Sequence, residues 1–177
     1  MVNLACFLDS TDLRPDATEK DIEDLCTEAV KYKMAAVCIH PYRIRAARRI
    51  LSGTGIKLAA VIGFPLGADG MENKVYSAAR ALDYGADELD MVINIGAWKD
   101  KNCDAVKREI DGVLALKGQR EFIMKLIVET ALLSRSELAQ ITRFVNATGV
   151  DYIKTSTGFS NRGVILEDIK EIGRAHV

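Results

Sequence analysis

A lysine at the end of a short apolar run is the most reactive candidate group in this chain. Lys154 follows Tyr152 and Ile153 and precedes three hydroxyl residues and a glycine. Burial at a strand end disfavours the charged ammonium, and a neutral amine can attack a carbonyl carbon to form a Schiff base. The alternative is a lysine whose stem packs while its ammonium stays in water. Lys154 alone does not decide between these interpretations.

Two further apolar runs carry a charge between two apolar neighbours, Asp90 in residues 88–93 and Lys125 in residues 122–128. Side chains alternate along a strand, so each charge points away from its apolar neighbours. If the apolar faces meet helices, an acid and two amines converge inside a barrel, where neighbouring ammoniums lower each other's pKa. The alternative for Asp90 and Lys125 is a structural ion pair. Three such positions at strand ends favour a catalytic site.

The residues after Lys154 suit the anionic end of a substrate. Hydroxyls come from Thr155, Ser156 and Thr157, and Gly158 offers an accessible backbone N–H before a predicted helix. An ordinary strand-to-helix loop uses the same residue types. Because the loop directly follows Lys154, we expect Thr157 and Gly158 to contact substrate.

Alternating strands and helices must position these groups. Apolar runs predict strands at residues 4–8, 35–39, 57–62, 88–93, 122–128 and 152–154. Helical periodicity fills the gaps, and two capping boxes, Thr18 with Asp21 and Ser134 with Glu137, mark helix starts. The repeat of about 30 residues is typical of βαβ units and predicts a parallel sheet with right-handed crossovers.

An open doubly wound sheet and a closed barrel both fit this alternation. A dinucleotide-binding sheet carries a glycine-rich turn after its first strand. Here that turn is residues 9–13, DSTDL, which contains no glycine. The sequence therefore favours an α/β fold of the TIM (β/α)8 barrel type.

Composition narrows the class of protein. The 177 residues are 49% hydrophobic and 28% charged with a net charge of −1, which fits one soluble domain without a nucleic-acid or membrane surface. No signal peptide is apparent, so we expect a cytoplasmic protein. The four cysteines are scattered and only two histidines are present, so we expect no metal, cofactor or disulfide framework.

Five segments together resemble deoxyribose-phosphate aldolases, which are class I aldolases built on a TIM barrel. The segments are LDST at 8–11, VIGFPLG at 61–67, GADELDMVINIG at 85–96, KLIVET at 125–130 and KTSTGF at 154–159. They occur in the family's order and extend the resemblance to about Lys170. Where some members of that family carry a basic residue, this chain has Phe159.

The resemblance implies a lyase that reversibly cleaves 2-deoxy-D-ribose 5-phosphate to D-glyceraldehyde 3-phosphate and acetaldehyde. It implies that Lys154 forms the Schiff base, that Asp90 transfers protons, and that Asp9, Thr11 and Lys125 line the substrate pocket. A homo-oligomer is compatible with the sequence. The alternatives are another Schiff-base barrel aldolase or an inactive scaffold of the same fold.

Length indicates an incomplete barrel. About six strand–helix units are present where a TIM barrel has eight, so we expect residues 1–170 to form part of an aldolase barrel. The family's second catalytic lysine, on the seventh strand, and its glycine-rich phosphate turns have no counterpart here. Residues 171–177, EIGRAHV, can be back-translated to a string that resembles a sequencing adapter, which suggests a non-native tail. An unpaired sixth strand, poor solubility and inactivity on the sugar phosphate are then expected.

Overall fold

Six parallel strands form one curved sheet, a half-barrel whose spatial order follows the chain from β1 to β6. The computed structural model describes residues 3–175. The strands are β1 Asp9–Asp12, β2 Ala36–Ile39, β3 Lys57–Ile62, β4 Glu88–Val92, β5 Ile123–Ile127 and β6 Tyr152–Lys154. The helices are α1 Glu19–Tyr32, α2 Ile44–Leu51, α3 Met71–Asp83, α4 Ile95–Lys99, α5 Cys103–Leu114, α6 Arg135–Asn146 and α7 Leu166–Ala175. The predicted strand–helix alternation and parallel sheet are confirmed.

The two faces of the sheet have different surroundings. One face packs under the helices in the main core, which includes Leu58, Leu89, Met91, Met124 and Leu126. The opposite face carries a smaller apolar cluster of Leu13, Cys38, Ala59 and Val61, with Phe64 packed against it. Because side chains alternate along each strand, Asp90 and Lys125 lie on this second, inner face. This alternation places the charged groups inside the half-barrel.

Both predicted capping boxes are present. At α1, the Thr18 side chain accepts a hydrogen bond from the Asp21 N–H, and the Asp21 carboxylate accepts one from the Thr18 N–H. Ser134 and Glu137 make the same reciprocal pair at α6. Each cap satisfies backbone donors that the first helical turn leaves unpaired, which contributes about 1 kcal/mol. These local bonds fix where the two helices begin.

The prediction for residues 4–8 is wrong. Leu4–Phe7 forms a short 3-10 helix, capped by the Asn3 side chain, and the side chains of Leu4 and Phe7 are 71% and 72% exposed. Strand pairing begins only where Leu8 O accepts from Ala35 N at 3.0 Å, and β1 consists of the polar residues that follow. A short apolar run has no periodicity that separates a buried strand from an exposed turn.

The sheet has two outer strands, and the last helix packs beside one of them. Within residues 3–175, β1 and β6 each pair on one side only. Helix α7 continues to Ala175, with Ile172 packed against the main core and Glu171 bonded to Arg135 at 2.6 Å. The assignment of residues 171–177 as a non-native tail stays a prediction, and residues 176–177 lie outside the described part. No helix of residues 3–175 is long and apolar enough to cross a membrane.

Candidate active site

The three predicted charged residues meet on the inner face of the sheet. Lys154 Nζ lies 2.5 Å from Asp90 Oδ2, and Lys125 Nζ lies 3.1 Å from Asp90 Oδ1. Register explains the meeting, because Asp90 is level with Lys125 on the neighbouring strand and Lys154 is level with Ile127. Asp90 is completely buried between the two amines. The expected convergence of one acid and two lysines is confirmed.

Lys125 has two further carboxylate neighbours. Its Nζ lies 3.0 Å from Asp9 Oδ2 and 2.5 Å from Glu88 Oε2. Asp9 was a predicted pocket residue, whereas Glu88 was not among the predicted site residues. The sequence could have indicated that Glu88 lies in the site, because Glu88 stands two residues before Asp90 and both side chains therefore lie on the same face of β4. Three carboxylates and two ammoniums therefore share the interior.

The Lys125 charge lowers the pKa of Lys154, as expected, but the net pKa of both lysines is raised. Burial lowers the pKa of Lys125, but the carboxylates of Asp90, Glu88 and Asp9 outweigh it and the pKa is raised. Burial and the Lys125 charge also lower the pKa of Lys154. Its net direction is nevertheless upward, because the Asp90 carboxylate favours the ammonium through its charge and its hydrogen bond. The resting site holds Lys154 as an ammonium ion paired with Asp90.

Cys38 belongs to the same interior. Its Sγ lies 3.6 Å from Asp90 Oδ2 and 4.0 Å from Lys154 Nζ. Burial raises the pKa of this thiol to about 12, so it is neutral at pH 7. With Ala59 and Val61 it forms the apolar wall beside the charged groups. Within a continuous apolar run, the sequence does not show which face of the sheet a cysteine lies on, because that depends on where the strand begins.

A cavity of about 480 Å³ extends along the inner face, and its lining includes both lysines with Asp9, Thr11 and Glu88. That volume falls within the roughly 300–1,000 Å³ of small-molecule sites. The Thr11 hydroxyl donates to Asp9 O at 3.1 Å, and Thr11 is exposed. The cavity can therefore hold a small carbonyl compound against Lys154.

The loop after β6 is fixed by the end of β5. Lys154 O accepts from Val128 N at 3.0 Å, and both the N–H, at 3.1 Å, and the hydroxyl of Thr157 donate to Glu129 Oε2. Both donors of Thr157 are occupied by Glu129, which was not among the predicted site residues. Contact of Thr157 with substrate stays a prediction. Gly158, at φ 85°, makes no backbone N–H bond within residues 3–175. A second cavity of about 500 Å³ is lined by Thr11, Thr157 and Gly158.

A buried ion pair supports the neighbouring loop after β3. Lys74 Nζ in α3 lies 2.5 Å from Glu109 Oε2 in α5 and donates to Val92 O at 2.9 Å. The stem of Lys74 lies against Gly63, where an added Cβ would come within 2.8 Å of its Cε. The turn that begins at Gly63 carries Phe64, whose ring contacts Phe159 edge-on at 5.4 Å between centroids. Sequence reasoning missed this pair, because a lysine in an amphipathic helix ordinarily faces water.

No group of three or more His, Cys, Asp or Glu side chains in residues 3–175 is arranged to hold a metal ion. The chemistry that this site offers is that of an amine, a carboxylate and their hydrogen bonds. A lysine beside a buried acid, at the wall of a pocket of small-molecule size, is suited to form an imine with a carbonyl compound and to exchange protons with it.

Comparison with known proteins agrees with this chemistry. The profile of the DeoC/LacD family aldolases matches residues 6–175. The chain belongs to the DeoC/LacD aldolase family. Within the family, it is 45% identical over 171 residues to the deoxyribose-phosphate aldolase of Thermococcus gammatolerans, an alignment covering 96% of this chain and 76% of that protein.

Solved structures of aldolases share the architecture. The aldolase QR15 superposes with a TM-score of 0.92 at 34% identity, over 99% of this chain and 77% of that one. The tetrameric deoxyribose phosphate aldolase from Aeropyrum pernix superposes with a TM-score of 0.89 at 32% identity, over 98% and 72%. The half-barrel of this DeoC/LacD family member is thus the arrangement of a TIM-barrel aldolase, of which the chain spans about three quarters.

Proposed function

We propose that this protein is a deoxyribose-phosphate aldolase that cleaves 2-deoxy-D-ribose 5-phosphate reversibly to D-glyceraldehyde 3-phosphate and acetaldehyde. The contact between Lys154 Nζ and the buried Asp90 Oδ2 at 2.5 Å, beside a cavity of small-molecule size that Lys154 lines, carries the proposal. The substrate is taken from the names of the relatives. The chemistry follows from the residues.

Imine formation is the first chemical step. Lys154 gives a proton to Asp90, and its lone pair attacks the aldehyde carbon C1 of the open-chain sugar. The resulting carbinolamine takes up a proton and loses water, which leaves a protonated imine between C1 and Nζ. The shared hydrogen bond with Asp90 provides the route for the proton, so the ammonium at rest is compatible with a nucleophilic amine during reaction.

Carbon–carbon cleavage uses the imine as an electron acceptor. A base removes the proton from the C3 hydroxyl, the C2–C3 bond breaks, and its electron pair forms an enamine between C2 and C1. Glyceraldehyde 3-phosphate leaves, C2 then takes up a proton, and water releases acetaldehyde and the free amine. Asp90 is the buried group best placed for these transfers, which contribute about 10²–10⁴-fold for a general acid or base.

Substrate contacts are proposed for the residues around the two cavities. Asp9, Thr11 and Lys125 line the cavity beside Lys154 and suit the hydroxyl groups of the sugar. Gly158, whose N–H has no partner within residues 3–175, is proposed to bind the phosphate together with Thr157, which lines the same cavity and is held by its bonds to Glu129.

We also propose a cytoplasmic location and self-association. The four cysteines are free, which suits a reducing compartment. The Aeropyrum pernix relative is described as tetrameric, which supports a homo-oligomer here.

Trapping of the imine tests the proposed nucleophile. The protein is incubated with acetaldehyde and borohydride, and peptides are analysed by mass spectrometry. We expect a reduced two-carbon addition on Lys154, and none at that position in Lys154→Arg, which keeps the charge but offers no usable neutral amine. Label on Lys125 instead would overturn the assignment of the nucleophile, and label on neither lysine would favour an inactive scaffold of the same fold.

A further inference from the structure

Glu88 is the closest carboxylate to Lys125, yet it has no role in the proposed aldolase reaction. Its Oε2 lies 2.5 Å from Lys125 Nζ, nearer than either Asp9 at 3.0 Å or Asp90 at 3.1 Å. The residue is only 6% exposed. Burial of a carboxylate is costly, and one counter-charge would be enough to balance Lys125. The surplus of acids around one lysine calls for a physical explanation.

The explanation lies in how Asp90 divides between two lysines. Its Oδ1 faces Lys125 and its Oδ2 faces Lys154, so any increase in the pull of Lys125 weakens the contact with Lys154. Glu88 and Asp9 satisfy Lys125 from its other sides. With three carboxylates and two ammoniums, the group carries a net charge of −1, and Glu88 supplies that excess.

We propose that Glu88 is a positioning residue that occupies Lys125, so that Asp90 remains the partner of Lys154 in the Schiff-base reaction. The proposal rests on the proposed function, because it assigns Glu88 a task in that reaction. The other charged or titratable groups around the two lysines and their cavity are Cys6 in the 3-10 helix, Asp9 on β1, Cys38 on β2, Asp90 on β4 and Tyr152 on β6. On β3, Ala59 and Val61 lie on this face and are uncharged.

The Glu88→Gln variant distinguishes a positioning role of Glu88 from a purely structural ion pair. If Glu88 only stabilises the fold, the variant is less stable but Lys154 titrates as before. If Glu88 acts through Lys125 and Asp90, its removal makes the surroundings of Lys154 less negative and draws Asp90 towards Lys125. Both effects favour the neutral amine, so Lys154 should become reactive at lower pH.

Competitive labelling measures this directly and needs no turnover. Trace acetic anhydride reacts with neutral amines only, and mass spectrometry gives the labelling of Lys154 as a function of pH. For Glu88→Gln we expect the pH at which Lys154 is half-labelled, the midpoint, to fall by on the order of one pH unit. That is the effect of one nearby charge in a partly screened site. Glu88→Asp, which keeps the charge, should stay near the wild-type midpoint, as should Glu121→Gln at an exposed position.

A second pair of variants covers the case in which Glu88→Gln does not fold. Lys125→Met alone should raise the Lys154 midpoint, and adding Glu88→Gln to it should bring the midpoint down again, because the buried pair is then removed as a unit. This inference would be overturned if Glu88→Gln left the pH midpoint of Lys154 labelling unchanged or raised it, either in the wild-type protein or in the Lys125→Met variant. Absence of the acetaldehyde adduct from wild-type Lys154 would instead overturn the proposed function, so the two failures are distinguishable.

Discussion

Lys74→Met should destabilise the protein strongly, although Lys74 lies outside the proposed reaction. Its side chain is fully buried, and Glu109, its partner, is 5% exposed. Burial lowers the pKa of Lys74 while Glu109 opposes that shift. Methionine fills nearly the same volume but removes the ammonium, so Glu109 is left as an unpaired buried carboxylate and Val92 O loses its donor at 2.9 Å.

The expected cost is about 3–5 kcal/mol, the range for removing one partner of a buried ion pair. In a domain of this size that corresponds to a fall in Tm of roughly 6–20 °C, at about 2–4 °C per kcal/mol. The double variant Lys74→Met with Glu109→Leu should recover most of the loss, because replacing both partners by apolar side chains is often neutral. In the double variant two groups lose these partners, Val92 O and the Asn94 side chain, which donates to Glu109 Oε1 at 3.2 Å.

Urea unfolding followed by circular dichroism and by fluorescence of the single tryptophan, buried Trp98, gives the free energies. Lys20→Met is the matched control, because Lys20 pairs with Asp24 on the exposed face of α1 and should change stability by less than about 0.5 kcal/mol. If Lys74→Met costs no more than this control, the buried pair does not hold α3 and α5 as argued.

Three further predictions concern single positions. Asp90→Asn should slow deuterium incorporation into acetaldehyde by about 10²–10⁴-fold with little change in Tm; the opposite result would indicate a structural ion pair. Lys99 and Ser134 lower the pKa of Glu137 from 4.5 to about 2, so its stabilisation is present above pH 4.5 and is lost as the pH falls towards 2. The difference in Tm between wild type and Glu137→Gln should therefore shrink over that interval, and a constant difference would contradict it. Gly67→Ala places a Cβ 1.8 Å from a backbone oxygen at φ 73° and should cost well over the roughly 1–2 kcal/mol of Gly53→Ala, which has open space at φ 76°; equal losses in urea unfolding would refute the contact argument.

Local sequence features predicted most of the elements and the direction of their side chains. Strand–helix alternation, the capping boxes at Thr18 and Ser134, and the charges at Asp90, Lys125 and Lys154 are local features. A strand's two-residue period decides which side chains share a face, so the inward direction of these charges could be predicted before any contact was known. The error at residues 4–8 has the same origin, since a short apolar run lacks the period that identifies its environment.

The contacts of the charged residues depend on the tertiary structure. Whether Lys154 faces an acid or another amine depends on the register between strands that are distant along the chain, and that register turned an expected fall in its pKa into a rise. Glu88 beside Lys125, and Lys74 beside Glu109, look like ordinary strand and helix residues until packing removes water from them. Desolvation and charge pairing depend on neighbours brought together by folding, and for that reason the sequence located the reactive groups but not their electrostatics.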